Sequence, residues 1–469
     1  MLQLNIGRRF SNCSGISRRA LLCAGSLGIA GLSLPEILAA ESVSQSARRG
    51  KSIILIHLDG GPPQMDLIDP KPDAPISVRS PFAPISTNVP GVQLTELMPR
   101  CATITDQLVL LRSLVGSDGQ HHAFQCQSGY KQNDLRGIGG RPALGCVANH
   151  LLGTPADNVP TFVDLMQGRP LVRNSARPGF LGPSYKPFRP DISDRWKRDL
   201  EDGMKNELAR LGNNHKTELN LIKEIPVSRL DDRLALLGKL DQFNRDLDAS
   251  GSMGAMDHFT RQAYNVLTSG EFADAMDIDK EDSKVIAHYT PEMKWSGTQS
   301  TTSEGPDSAL KFLLARRLIE AGVRVVSLSL SDFDTHRANN TRMENLGPLF
   351  DFSLHALVTD LQNRDMLDDV TILAWGEFGR TPKINDEGGR DHWPRLSMGM
   401  MAGGGVPGGL VLGASDRQGG NVVDRPIPFA DVIATLYHHV GIDTDTMIHD
   451  QTGRPHALMD QGKPVSELI

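Results

Sequence analysis

From Lys51 the chain reads Lys-Ser-Ile-Ile-Leu-Ile-His-Leu, an apolar run that does not alternate with polar positions. A strand with one wet face alternates, whereas a strand buried on both faces does not, so this run predicts an internal strand of a parallel sheet. Asp59-Gly60-Gly61-Pro62-Pro63 ends it abruptly. The pattern returns in QLVLLRSLVG (Gln107 to Gly116), in VRVVSLSL up to Leu330, in DVTILAWGEFGR up to Arg380 and, shorter, in GLVLGAS. Helical spacing separates these runs. It appears in LTELMPRCATITD, in SALKFLLARRLIEAG ended by Gly322, in LGPLFDFSLHALVTDLQNRDML and in FADVIATLYHHVGID. Such alternation predicts an α/β fold with a doubly wound, mostly parallel central sheet flanked by helices, the first two runs and the helix between them forming a βαβ unit. Between about Leu151 and Asp307 the pattern changes. A Pro/Gly-rich stretch, RPGFLGPSYKPFRPD, is followed by Leu230, Leu234, Leu237 and Leu240 at helical spacing. Residues 151–307 are therefore expected to form a largely helical and loop insertion at one sheet edge, within a single domain spanning 51–469.

Composition narrows the function classes. The 469 residues carry a formal charge of −7 and only 5% aromatics, without a basic stripe, which argues against nucleic acid as a partner. Residues 1–40 read as a twin-arginine signal peptide. Two arginines, Arg18 and Arg19, open a moderately apolar, Gly/Ala-rich stretch, and small residues stand at Ala39 and Ala40. The stretch is shorter than the roughly 20 residues of a spanning helix, so no permanent membrane span is expected. A polar linker follows over 41–50. This pattern implies a periplasmic or extracellular protein that meets the twin-arginine translocase during export. Cys101, Cys126 and Cys146 remain after the leader, an odd number without close pairs, and read as buried thiols rather than a disulfide framework or a zinc-thiolate site.

Functional groups of open α/β sheets collect beyond the carboxyl ends of the strands. Three predicted strands end in acidic or histidine residues: Asp59 after the first, Asp332, Asp334 and His336 after VVSLSL, and Glu377 after VTILAWG. The loop GGRDHWPR adds Asp391 and His392. Each has a plain alternative: Asp59 as a turn former, Asp334 as a helix cap, Glu377 paired with Arg380, Asp391 and His392 as ordinary loop residues. Together they form a ligand inventory for one or two divalent ions such as zinc, manganese or calcium. In SDGQHHAFQCQSGY, His121 and His122 open a predicted helix, where neighbouring side chains diverge by about 100°, so at most one faces a common site. The helix start suits an anion, or is simply capped by Ser117 or Asp118.

The leader, IHLDGGPPQMD, HHAFQCQSG, GGRPALG, DFDTH, WGEFGRTP and GGRDHWP occur in an order that resembles the domain-of-unknown-function 1501 family of exported bacterial proteins. That family is similar to the alkaline phosphatase-like superfamily, which includes sulfatases and phosphonate-processing enzymes. The resemblance implies metals at the carboxyl edge of the sheet, with Asp59, Asp334, His336, Glu377 and His392 as ligands. Asp391 would orient a ligand, and Arg380 or Arg390 would hold an oxyanion or pair at the surface. It implies a hydrolase-like activity on phosphate or sulfate esters of small molecules or polysaccharides. The chain departs from the pattern at the nucleophile, where no Ser, Thr or Cys stands; Ser117 is the nearest hydroxyl and Cys126 lies too far along. Phe378 also replaces the histidine expected after the acidic ligand. A metal-activated water assisted by His121 or His122 is one expectation, and a non-catalytic binding or surface protein is the other. Asp332 has no counterpart in the family pattern and is expected to face solvent or a loop.

Overall fold

A computed structural model describes residues 51–469 except 137–138, 155, 168–171, 173–174, 194, 197–251, 294 and 296–303. The strands β1 (Ser52–Leu58), β2 (Leu108–Val115), β3 (Phe162–Asp164), β4 (Val325–Leu330), β5 (Val370–Trp375), β6 (Ser397–Ala402), β7 (Leu410–Leu412) and β8 (Ile427–Pro428) form one sheet. Its order is β7-β2-β6-β5-β1-β4-β3, with β8 also paired to β2. Every pairing is parallel except the two made by β6, which runs against both β2 and β5. The other strands thus end at one edge of the sheet, and β6 begins there.

The non-alternating runs follow from burial on both faces. Ile54, Ile56 and Leu58 of β1 join one apolar core with Phe312 and Leu314 of the helix Leu310–Glu320 and Leu349 and Leu357 of the helix Asn339–Asn363; Ile53 and Leu55 join the opposite core with Leu144 and Val147 of the helix Leu144–Leu152 and Ile433 and Leu436 of the helix Phe429–His439. The helices used below are, in chain order, α1 (Gln64–Leu67), α2 (Phe124–Ser128), α3 (Leu144–Leu152), α4 (Ser252–Ser269), α5 (Leu310–Glu320), α6 (Asn339–Asn363) and α7 (Phe429–His439); among the described residues, short helices also occur at Pro99–Thr103, Glu271–Met276 and Ser283–His288. Burying each of these Leu, Ile or Phe side chains contributes about 1.5–3 kcal/mol. The fold is α/β, with a mostly parallel central sheet flanked by helices.

Several details differ from the sequence reading. β1 and β2 are not neighbours, because β5 and β6 lie between them. The fully buried β6 reads Ser-Met-Gly-Met-Met-Ala and lacks β-branched residues, so its composition conceals it. Within 151–307, Phe162–Asp164 supplies the edge strand β3 itself, a three-residue element too short to show a period. The region also contributes α4, while Leu230 to Leu240 lie outside the described residues, as do the leader and linker of residues 1–50. Helix α6 begins at Asn339 rather than Leu346 and accommodates Pro348, its first turn being too polar to show a stripe. Among the described residues, no helix is long and apolar enough to cross a membrane. Cys101, Cys126 and Cys146 are buried free thiols.

Candidate metal centre

Three strand ends approach closely because Gly60 has no side chain. Its φ is +107°, and a Cβ there would lie 2.3 Å from the Asp334 amide nitrogen. The Asp59 N–H donates to Leu330 O at 2.8 Å, the Phe333 N–H donates to Asp59 O at 3.0 Å, and the Gly60 N–H donates to Glu377 Oε1 at 3.0 Å. The ends of β1, β4 and β5 are thereby tied together. The loop after β2 brings in His121, and the segment entering β6 brings in His392.

Two groups of possible ligands result. The inner one comprises His57, Asp59 and Glu377, all buried, with donor atoms within 4.8 Å of one another. Both His57 ring nitrogens and Glu377 Oε2 are buried without a hydrogen-bond partner. His57 Nε2 lies 3.4 Å from Glu377 Oε2. Burial lowers the His57 pKa, against the pull of Glu377, and favours the neutral ring. Burial alone would raise the Glu377 pKa, but the hydrogen bond from His121 and the charges of His57 and His121 hold it below the usual range. Neutral imidazole and ionised carboxylate are the forms that bind metal.

The outer group is His121, Asp334 and His392, again with donor atoms within 4.8 Å. His121 Nδ1 is 2.9 Å from Glu377 Oε1 and its Nε2 is 3.2 Å from Asp334 Oδ2, so one ring spans both groups. His392 Nε2 lies 3.4 Å from Asp334 Oδ1, while its Nδ1 faces Gly119 O at 3.0 Å. His336 stands at the rim, 3.1 Å from Asp334 Oδ1 through Nε2 and 2.6 Å from Asp391 Oδ1 through Nδ1. Asp391 therefore holds a ring beside the cluster, the usual arrangement behind a histidine ligand. Burial opposes charge on His121, but its hydrogen bonds to Asp334 and Glu377 prevail and raise its pKa to about 9. Asp334 is held far below the ordinary carboxylate range: burial opposes this, and His121, His392 and Arg380 overcome it.

Two spacings in the cluster are longer than good hydrogen bonds and match ligands sharing an ion, while His121 and His336 meet their carboxylates at hydrogen-bond distance. Two ligands of a tetrahedral ion with bonds of about 2.0–2.1 Å are separated by roughly 3.3–3.4 Å, whereas good hydrogen bonds lie near 2.7–3.2 Å. The 3.4 Å separations of His57 from Glu377 and of His392 from Asp334 belong to the first class. Orphaned buried donor atoms at these positions agree with that fit.

Other candidate residues occupy different roles. His122 turns to Asp118, with Nδ1 2.8 Å from Oδ2, and only His121 enters the cluster. Both histidines lie in the turn before α2, which starts at Phe124 rather than at His121. Arg380 and Arg390 are buried, not surface residues, and their donors are committed within the protein. Arg380 donates to Gly61 O, Arg390 O, Gly60 O and Asp334 Oδ1; Arg390 grips Asp66 through Nε and Nη2 and donates to Thr381 O and Pro382 O. Neither presents a fork to an oxyanion. Ser117 donates to Glu377 O at 2.6 Å, and burial pushes the Cys126 thiol pKa well up, so neither is poised as a nucleophile. Phe378 packs on His392, with ring centroids 4.2 Å apart, and walls the site. Asp332, at φ +77°, is half-buried and belongs to neither ligand group. His57 is the participant that sequence reasoning missed. Its only signal is a polar ring inside an otherwise apolar run.

No curated protein matches the chain. Among solved structures, it is similar to a sulfatase from Pseudoalteromonas sp., with 10% identity, a TM-score of 0.37 and coverage of 86% of this chain and 70% of that one. It is also similar to the phosphonate monoester hydrolase of Agrobacterium radiobacter, with 12% identity, a TM-score of 0.35 and coverage of 89% and 77%. The lipoteichoic acid synthase LtaP of Listeria monocytogenes follows at 10% identity and a TM-score of 0.30, with coverage of 88% and 76%. At these TM-scores the likenesses bear on neither substrate nor mechanism. A family model described as "Protein of unknown function (DUF1501)" matches residues 50–469, and the chain belongs to that family.

Proposed function

We propose that the protein is an exported, metal-dependent hydrolase of the alkaline phosphatase-like class, acting on phosphate or sulfate esters of small molecules or polysaccharides. The observation that carries this reading is the meeting of two three-residue donor groups at the carboxyl edge, with His57 and Glu377 donor atoms buried and unpartnered. His57, Asp59, Glu377, His121, Asp334 and His392 would hold one or two divalent ions, with His336 at the rim steadied by Asp391. Bound ions would supply Lewis-acid polarisation of the ester and an acidified water. Phe378 excludes solvent from one side of the His392 ring. His122, oriented by Asp118, is the residue available to move a proton at Nε2, because both nitrogens of His121 face carboxylates. The twin-arginine leader supports passage through the translocase to a periplasmic or extracellular location.

The engaged Ser117 hydroxyl and the buried Cys126 thiol favour a second reading, a non-catalytic metal-containing binding protein on the same scaffold. Elemental analysis of purified protein reconstituted with zinc, manganese or calcium tests the metal centre: at least one equivalent is expected, falling in Glu377→Gln. Less than one equivalent in the wild type sinks both readings. Metal-loaded wild type is then assayed on aryl phosphate and aryl sulfate panels. Turnover abolished by Glu377→Gln supports the hydrolase, and metal without turnover leaves the binding role.

A further inference from the structure

His121 occupies an unusual place between the donor groups. Its Nδ1 faces Glu377 Oε1 of the inner group at 2.9 Å, and its Nε2 faces Asp334 Oδ2 of the outer group at 3.2 Å. The two nitrogens of an imidazole point in divergent directions, so one ring can serve two ions only when a donor group lies off each nitrogen. That arrangement is present here. The ring is also fixed from the side: its centroid lies 4.6 Å from that of His392, nearly edge-on at 84°, and 5.3 Å from that of Phe378. Each group separately contains a carboxylate and another imidazole: Glu377 and Asp59 with His57, and Asp334 with His392. Adding one His121 nitrogen to each gives the inner group four ligating residues and the outer group three, the numbers expected of a closed and an open zinc-type site.

We infer that His121 is a bridging ligand: on metal loading its ring would release both nitrogen-bound protons to solvent and join an inner ion held by His57, Asp59 and Glu377 to an outer ion held by Asp334 and His392. This inference rests on the metal-binding reading above and adds that the centre is dinuclear and linked through one imidazole. The inner position, with buried partners, is structural in character. The outer position, beside the half-exposed His336 and His392, is the one open to substrate.

Copper(II) loading of the full chain, with metal quantified alongside electron paramagnetic resonance, tests the bridge. Two coppers per chain are expected, with most of their ordinary spin signal lost through exchange coupling across the ring. In His121→Gln, checked for folding by circular dichroism, the spin count should rise to equal the copper bound, and affinity at both positions should fall roughly tenfold or more, at least the loss seen when a supporting residue is removed. Two coppers with a full, uncoupled spin count in the wild type would overturn the bridge while leaving the metal centre intact, and so would a single bound copper. If neither copper nor zinc binds to the wild type, the metal reading falls together with the bridge. Because the deciding spectrum is that of the wild type, an unfolded variant does not protect the inference.

Discussion

Asp66 and Arg390 provide the most demanding test of how the ligand loops are held. Asp66 lies on α1, just beyond β1, and grips Arg390 through paired contacts of 3.0 and 3.1 Å; both side chains are at most 1% exposed. Asp66 also accepts from Ser80 Oγ at 2.9 Å and Asn339 Nδ2 at 2.7 Å, so one carboxylate fastens α1, the following loop, the start of α6 and the segment leading to His392. The Arg390 N–H in turn donates to Thr335 O, beside Asp334. Asp66→Ala leaves a buried guanidinium unpaired, which costs about 3–5 kcal/mol. With an unfolding entropy of roughly 2.1 cal/mol/K per residue over about 420 residues, this corresponds to a Tm lower by about 3–6 °C. Guanidinium unfolding of the wild type, Asp66→Ala, Arg390→Ala and the double variant measures the pair. The double variant should be more stable than the sum of the single effects requires, by at least about 2 kcal/mol. In the proposed metal centre Asp66→Ala should also weaken binding of added zinc, since the segment carrying His392 loses its anchor. A loss below about 1 kcal/mol in Asp66→Ala, or additivity within about 0.5 kcal/mol, would refute the reasoning.

Two further tests probe backbone fit and pH. Gly60→Ala meets the Asp334 amide and the Phe333 carbonyl carbon, neither of which can rotate away, and should cost about 2–4 kcal/mol; Gly116→Ala, also at positive φ but with open space, should cost only about 1 kcal/mol. Equal denaturation midpoints for the two variants would show that the close approach of β1 and β4 is not what Gly60 provides. Asp351 is buried and accepts from the Arg100 and Cys101 N–H groups at 3.0 and 2.7 Å; burial prevails over these bonds and raises its pKa to about 6. A carboxyl raised on folding binds its proton more tightly in the folded state, so this group's contribution is most favourable below about pH 4. It falls as pH rises to 6, by about 3 kcal/mol. The stability difference between Asp351→Asn and wild type should therefore move in favour of the variant from pH 4 to pH 7, and a constant difference would contradict it.

The sheet and much of the cluster were legible because both depend on local pattern. A short apolar run on both parities, rich in β-branched residues and cut off by Gly and Pro, points to an internal strand, and acids at the ends of three such runs point to a shared edge. Asp59, Asp334 and Glu377 were visible in this way. Long-range geometry was not. His57 shares a strand with Ile54 and Ile56, and only the approach of Glu377 from β5 turns it from a core histidine into a candidate ligand. His121 and His122 are chemically identical in sequence; the turn ahead of α2 separates them, sending one to Glu377 and the other to Asp118. Arg380 and Arg390 read as oxyanion holders or surface partners from guanidinium chemistry alone, yet Arg380 is held inside by donating to the carbonyls of Gly60 and Gly61. The reversed direction of β6 was hidden by its methionines, and it is that reversal which delivers His392 to the same edge as the other strand ends.

The charges at that edge explain why such a cluster is stable only in a particular company. Asp334 and Glu377 are both held ionised, and the carboxyl of Asp59 lies within ligand distance of Glu377. Burying a carboxylate without a counter-charge costs several kcal/mol, and the effective attraction of a single pair rarely exceeds that cost. Arg380 is one fixed cation, placed against Asp334 rather than against Glu377. His121, with its pKa near 9, is the mobile one, and it reaches both carboxylates. In the proposed metal centre, His57 and Glu377 would hold a divalent ion with donor atoms that no hydrogen bond satisfies, and its two charges would take over the balancing role of the His121 proton. The same substitution links binding to folding: ligand at 100 times its Kd stabilises the folded state by about 2.7 kcal/mol. That contribution would act on the ends of β1, β4 and β5, where the backbones meet at Gly60, so a close backbone approach and a cluster of buried carboxylates fall at one place.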